Sequence, residues 1–391
     1  MDNAPQAISL LGCHIFRNLF VQCPNDNVLV SPHAAMIVVS LLMAGAQRTT
    51  EREMAEALKV KLPQFHTSMR RILVFAPFGN SPAPEDEDTA FRMANRILVN
   101  SNLPLSDSFR KIGQRVYRTL VSPANLARRS AEERRLVNTW AEAITGIKQV
   151  IPPDCPLDGD SRIVLLSSAT LDTLWKLPFP KMPTMRRPFG SWTAVPTMGQ
   201  TAVVGYACIQ ELGLRAVELP FSSDAYSATI ILPTGKFDEL CVNLTPEVLN
   251  RVFEAVKERQ KVKIELPRFS ATFEAELTDV LQKLGIREAF TDEANFSASS
   301  SLSGGLSLSV SRWRYTWRRT VTTTTPVSLT WVLHKVQVGV HEGVTPTLPQ
   351  ECEESATAPD VEFLVNKPFV LCVRKGDILV LLASIQRVHV P

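Results

Sequence analysis

The residues able to do chemistry are few and scattered. His341-Glu342 lacks the second histidine of a helical zinc motif, and the 391 residues contain no H-E-x-x-H, G-x-S-x-G, P-loop or G-x-G-x-x-G. His334 stands beside Lys335 in a β-rich run, where a hydrogen-bonded structural histidine fits better than a catalytic base. Seven cysteines, at 13, 23, 155, 208, 241, 352 and 372, form no C-x-x-C pair and no metal spacing, and the odd count leaves at least one thiol free in a monomer. The sequence thus predicts no enzyme, no metal site and no cofactor. A different feature stands out. From Gly343 to Phe369 the chain reads GVTPTLPQECEESATAPDVEFLVNKPF, polar and small for about fifteen residues between the strand-like runs HKVQVGV and VEFLVNKPFVLCVR. A loop of that kind in a dense apolar chain is functional or disordered.

The composition is that of a globular protein. Hydrophobic residues make up 45% and charged residues 21%, enough for a large core. The net charge of +3 does not point to nucleic acid. The longest apolar candidate, 34–46, is too short to span a bilayer, so no membrane partner is expected. The N-terminus, MDNAPQAISLLGCHIF, shows no basic leader or cleavage site. Two sequons, at Asn243 and Asn295, are glycosylation candidates if the chain is secreted.

The elements follow from periodicity. Residues 7–20 carry apolar groups at helical spacing, and 27–30 make a short strand closed by Ser31-Pro32. A helix over 34–43 is apolar on nearly every face and so is buried. The next helix starts near Thr50, whose hydroxyl is placed to accept from early amides, with Glu51 and Glu53 near its positive end. Further helices are expected at 65–72, 107–120 and 132–144, with Gly146 as a stop. Strands are expected at 91–98 and 162–175, with a hairpin over 217–233. The stretch 262–290 reads as a strand, a proline-marked exit and a helix ending at Gly285.

Several of these segments carry a family resemblance. VLVSPHAAMIVVSLLMAGAQRTTEREMAEAL, the run from Arg162 into Trp175 and Phe179, Ala294-Asn295-Phe296-Ser297, HKVQVGVHEG and VEFLVNKPFVLCVR occur in the order found in serpins. Locally, WKLPFP followed by RRPF is similar to the plasminogen activator inhibitor branch. The resemblance implies an α+β serpin fold as one domain over 1–391: helices around a large central β-sheet and two smaller sheets, with an exposed reactive-centre loop at about 343–360. It implies a monomer that inhibits a serine protease by covalent trapping and loop insertion. It also implies an extracellular setting, although the absence of a visible signal peptide leaves an intracellular one open.

The implied hinge comprises Glu342, Gly343, Val344, Pro346 and Pro349, and the implied reactive bond is Thr357-Ala358. Between Val344 and Pro359 there is no Arg or Lys, which disfavours a trypsin-like enzyme whose pocket acid needs a cation. Small residues there suit an elastase-like pocket. The family's buried polar cluster maps to Ser31, Ala34, Ser167 and His334, so part of it is missing, and Trp175 is a structural position. Pro346 and Pro349 cannot donate to a sheet ladder; they favour the alternative of a non-inhibitory carrier, chaperone or scaffold. Finally, 312–330 reads as an insertion with four arginines and three aromatics, a mixture able to bind a polyanion such as a glycosaminoglycan.

Overall fold

The computed structural model describes residues 4–74, 91–103, 105–173, 175–180, 185–190, 192–222, 225–296, 328–342 and 358–388. The apolar N-terminal pattern becomes two crossing helices, α1 (Ala4–Gln22) and α2 (Pro32–Gly45), joined by β1 (Val28–Val30). Ser31 caps α2 by accepting from the Ala34 amide, with Pro32 in the first turn where its missing N–H costs nothing. Gly12 lets the two helices touch: a Cβ there would lie 2.3 Å from Cγ of Pro32. The chain continues through α3 (Arg48–Ala57), α4 (Leu62–Val74), β2 (Phe91–Asn100), α5 (Asp107–Arg115), β3 (Leu120–Ala124) and α6 (Leu126–Thr145). Gly146 ends α6 at a φ of +74°, as expected of a left-handed stop.

Then follow β4 (Ile163–Asp172), β5 (Met185–Phe189), β6 (Trp192–Ile209), β7 (Leu214–Pro220), β8 (Tyr226–Pro233), α7 (Phe237–Val242) and α8 (Pro246–Ala255). The chain closes with β9 (Arg259–Pro267), β10 (Phe269–Glu276), α9 (Thr278–Leu284), β11 (Leu329–Val340), β12 (Val361–Leu364), β13 (Phe369–Lys375) and β14 (Ile378–Ile385). Three elements differ from the sequence pattern. Thr50 is not a cap; it lies inside α3, donates to Glu288 Oε1 and accepts from the Asn295 amide, while the helix begins after Gln47. The helix expected over 107–120 stops at Arg115, and Leu120 opens β3. After Pro267 the chain enters a second strand, β10, before α9 begins.

Among the described residues there are two sheets. A five-stranded central sheet runs β10-β11-β4-β2-β3, and a nine-stranded one runs β1-β14-β13-β8-β7-β6-β9-β12 with β5 paired to β6. The two smaller sheets expected from the sequence are thus joined, because the 18-residue β6 pairs with β5, β9 and β7 in turn. The main core lies between the central sheet and α1, α2 and β13–β14; α6 covers the opposite face of the central sheet over two smaller apolar clusters.

Candidate functional site

The site is the pair β4 and β11 together with the chain that leaves β11. These strands run parallel and side by side, from Leu329 opposite Ile163 to Gly339 opposite Asp172. Their outer neighbours, β2 and β10, are antiparallel to them. On the core face one rung reads Ala275, His334, Ser167 and Asn95 across β10, β11, β4 and β2. His334 Nε2 accepts from the Ser31 amide at 3.0 Å, which places the proton of the neutral ring on Nδ1. Burial lowers its pKa to about 4, so the ring is neutral at pH 7. Ser31 Oγ donates to the Val380 carbonyl at 2.8 Å, tying the rung to β14. Ser167 Oγ and Asn95 Oδ1 are buried without a hydrogen-bonding partner. Asn95 was not picked out by sequence, since nothing within FRMANRILVN tells which residue shares a rung with His334.

At the C-terminal end of β11 the chain is held by a short segment after β4. Thr173 N donates to the Gly339 carbonyl at 3.1 Å, and the His341 amide donates to Thr173 Oγ1 at 3.2 Å. The Trp175 indole N–H donates to the His341 carbonyl at 2.8 Å, and the Phe179 amide to the Glu342 carbonyl at 2.9 Å. Trp175 itself is wedged edge-on against Phe221 and Phe179, at ring distances of 5.2 and 6.0 Å. The Glu342 carboxylate, largely buried, lies 3.5 Å from the Arg268 guanidinium.

Of the expected hinge, Gly343, Val344, Pro346 and Pro349 lie outside the described residues, as does Thr357 of the reactive bond. Ala358 is exposed. Just beyond it Asp360 exchanges two bonds with the Lys261 backbone, which leads into β12, parallel to β9. Asn243 is exposed at the end of α7, whereas Asn295 is half-buried and its backbone N–H and C=O are both engaged, with Thr50 and Gln47. The basic run at 312–327 lies outside the described residues; Leu329 and Thr330, at the end of the stretch read as an insertion, are part of β11. The six described cysteines are free thiols. Among the described residues no helix is long and apolar enough to cross a membrane, and no cluster of His, Cys, Asp or Glu could hold a metal.

This architecture is that of the serpins. The chain belongs to the serpin (serine protease inhibitor) family, whose sequence profile matches residues 6–383. It is 24% identical over 394 residues to ovalbumin of Meleagris gallopavo, covering 94% of this chain and 95% of that one. It is 28% identical over 309 residues to alpha-1-antichymotrypsin of Homo sapiens, covering 76% and 70%. The fold matches the crystal structure of Manduca sexta serpin-12 with a TM-score of 0.80, at 19% identity over 99% of this chain and 98% of the other.

Proposed function

We propose that this protein inhibits a serine endopeptidase of elastase-like specificity by covalent trapping. The protease serine attacks the Thr357 carbonyl, the Thr357-Ala358 bond breaks, and Ala358 leaves as a free amine attached to β12. Thr357 stays esterified to the protease. The freed segment then enters the central sheet between β4 and β11 and carries the acyl-enzyme with it. The single observation that supports this reading is the parallel β4–β11 pair, from whose end the loop departs. A strand folding back from Glu342 would lie antiparallel to both, replacing one parallel ladder by two antiparallel ones, and antiparallel pairing is the more stable per residue.

The second reading is a non-inhibitory serpin, favoured by Pro346 and Pro349. Each would leave a ladder carbonyl unpaired at about 1–3 kcal/mol if inserted. Under either reading the chain acts as a monomer, and the arginine-rich run at 312–330 is the place for a polyanion to bind. We place the protein outside the cell, where Asn243, and not the half-buried Asn295, carries any glycan.

Incubation with pancreatic elastase tests the first reading. The expected product is an SDS-resistant complex, together with a released fragment whose N-terminal residue is Ala358. Clean cleavage without complex overturns covalent trapping. Melting the cleaved chain then separates the alternatives: a large rise in Tm means that insertion occurs, and an unchanged Tm supports the non-inhibitory reading.

A further inference from the structure

We infer that Arg162 is a positioning residue for strand insertion: it staples β4 to β11 at the end far from the hinge and so sets how readily the pair parts along its full length. This inference rests on the insertion reading above.

The geometry at that end differs from a plain ladder. Register shifts between Leu329 opposite Ile163 and Trp331 opposite Val164, so Thr330 is an extra, bulged residue on β11. A bulge leaves a neighbouring backbone donor without its ladder partner. Here the Thr330 hydroxyl fills the place, accepting from the Arg162 amide at 2.9 Å. The Arg162 guanidinium adds a second tie, donating through Nη1 to Ser328 Oγ at 2.8 Å and to Asp292 Oδ1 at 2.7 Å. Ser328 is buried, and the Arg162 carbonyl accepts from the Asn100 amide at 2.8 Å, which anchors the staple to β2. One residue therefore fastens β2, β4, the start of β11 and the chain beyond α9.

These bonds differ from the ladder in what insertion does to them. Backbone N–H and C=O groups freed from the β4–β11 ladder find new partners on the incoming strand, except the carbonyls that would face Pro346 and Pro349. The two strands must move from about 4.8 Å apart to twice that, and the bonds from Arg162 to Thr330 and Ser328 span the widening gap. The guanidinium bond to Ser328 and the acceptor role of the Thr330 hydroxyl are lost, and neither side-chain group has a successor on the new strand. They accordingly stabilise the form with the loop outside the sheet and contribute nothing to the form with the loop inside it.

The test uses the full chain carrying Arg162→Ala, with Ser328→Ala as the milder variant should the first fail to fold. Tm is measured before and after loop cleavage by elastase, and incorporation of a synthetic peptide of sequence 344–356 is timed by native gel shift. The expected result is an uncleaved Tm lower by about 2–5 °C, a cleaved Tm unchanged, and peptide uptake faster by about 3–10-fold. A purely structural role predicts the same loss in both forms and no change in uptake. Either finding, with a wild type that does gain Tm on cleavage, overturns the role of Arg162 alone. A wild type with no gain and no uptake overturns the insertion reading, and the inference with it.

Discussion

Glu342 and Arg268 face each other at 3.5 Å where the chain leaves β11, with the glutamate side chain only 12% exposed and the arginine 41%. The arginine comes from the tight link between β9 and β10, and its own amide donates to the Pro196 carbonyl of β6. The pair thus couples the end of β11 to β9 and, through it, to β6 and β12. Charge reversal at Glu342 sets two cations together in a half-buried site. Glu342→Lys is expected to lower the Tm of the uncleaved protein by several degrees. Glu342→Gln, which keeps the shape, should cost about 1–2 kcal/mol, towards the lower end because Arg268 is partly solvated. Differential scanning fluorimetry at neutral pH measures both. Equal melting of all three proteins would mean that the hydrogen bonds to Thr173, Trp175 and Phe179 hold this turn without the ion pair.

Part of the frame around the β4–β11 pair was legible in the sequence, for definable reasons. Helix α2 could be read because 13 of its residues are buried, leaving an apolar run no surface helix would carry. Strand β4 could be read for the same reason, being buried along nearly its whole length. Strand β6 could not. Its 18 residues serve three different partners, and Pro196, Gly199 and Gly205 interrupt any single period. The Arg162 staple was equally hidden, since its partners stand 130, 166 and 168 residues away. Periodicity reports which face of an element is apolar; it does not report which distant residues share a rung.

Gly205 gives a steric prediction. It is the point where β6 passes from pairing with β9 to pairing with β7, facing both Arg259 and Glu218. A Cβ built there would lie 2.1 Å from the Val256 carbonyl oxygen, a backbone atom at the end of α8 that cannot swing aside. Gly205→Ala should therefore destabilise by about 2–4 kcal/mol, in the range of overpacking with backbone shift. Gly235, where a Cβ meets nothing within 4 Å, is the control. A Gly205→Ala protein that melts with the wild type would refute the close approach of α8 to β6.

Stability should depend on pH in one direction. Burial holds His334 at about 4, His66 at about 4 and His33 at about 3, all below the value of about 6.5 in the unfolded chain. Between those limits the unfolded state binds the extra protons, so stability is complete above pH 6.5 and falls as pH drops towards 4. Each histidine contributes at most about 1.4 kcal/mol per pH unit in that window. Protonation of His334 also replaces the acceptor facing the Ser31 amide by a second donor. His334→Gln should flatten the Tm against pH curve between 6.5 and 4 relative to wild type. An unchanged slope would assign the effect to His33 and His66.

Ser167 offers the clearest test of the thinned cluster beneath the central sheet. It sits on the rung between His334 and Asn95, and its buried hydroxyl has no partner, as does Asn95 Oδ1. A buried hydroxyl that makes no hydrogen bond has already lost its hydration, so deleting it removes a penalty instead of a bond. Ser167→Ala is expected to leave the Tm unchanged or raise it slightly. Ser167→Asn adds an amide donor beside the Asn95 acceptor, and satisfying that group should raise stability by about 1 kcal/mol. Because the new amide belongs to β4 and its partner to β2, the added bond leaves the gap between β4 and β11 free to open. Under the proposed trapping of elastase, complex formation by Ser167→Asn should therefore match wild type while its Tm rises. A fall in Tm for Ser167→Asn would mean that the rung has no room for the amide, and that its polar atoms are spaced for the smaller serine.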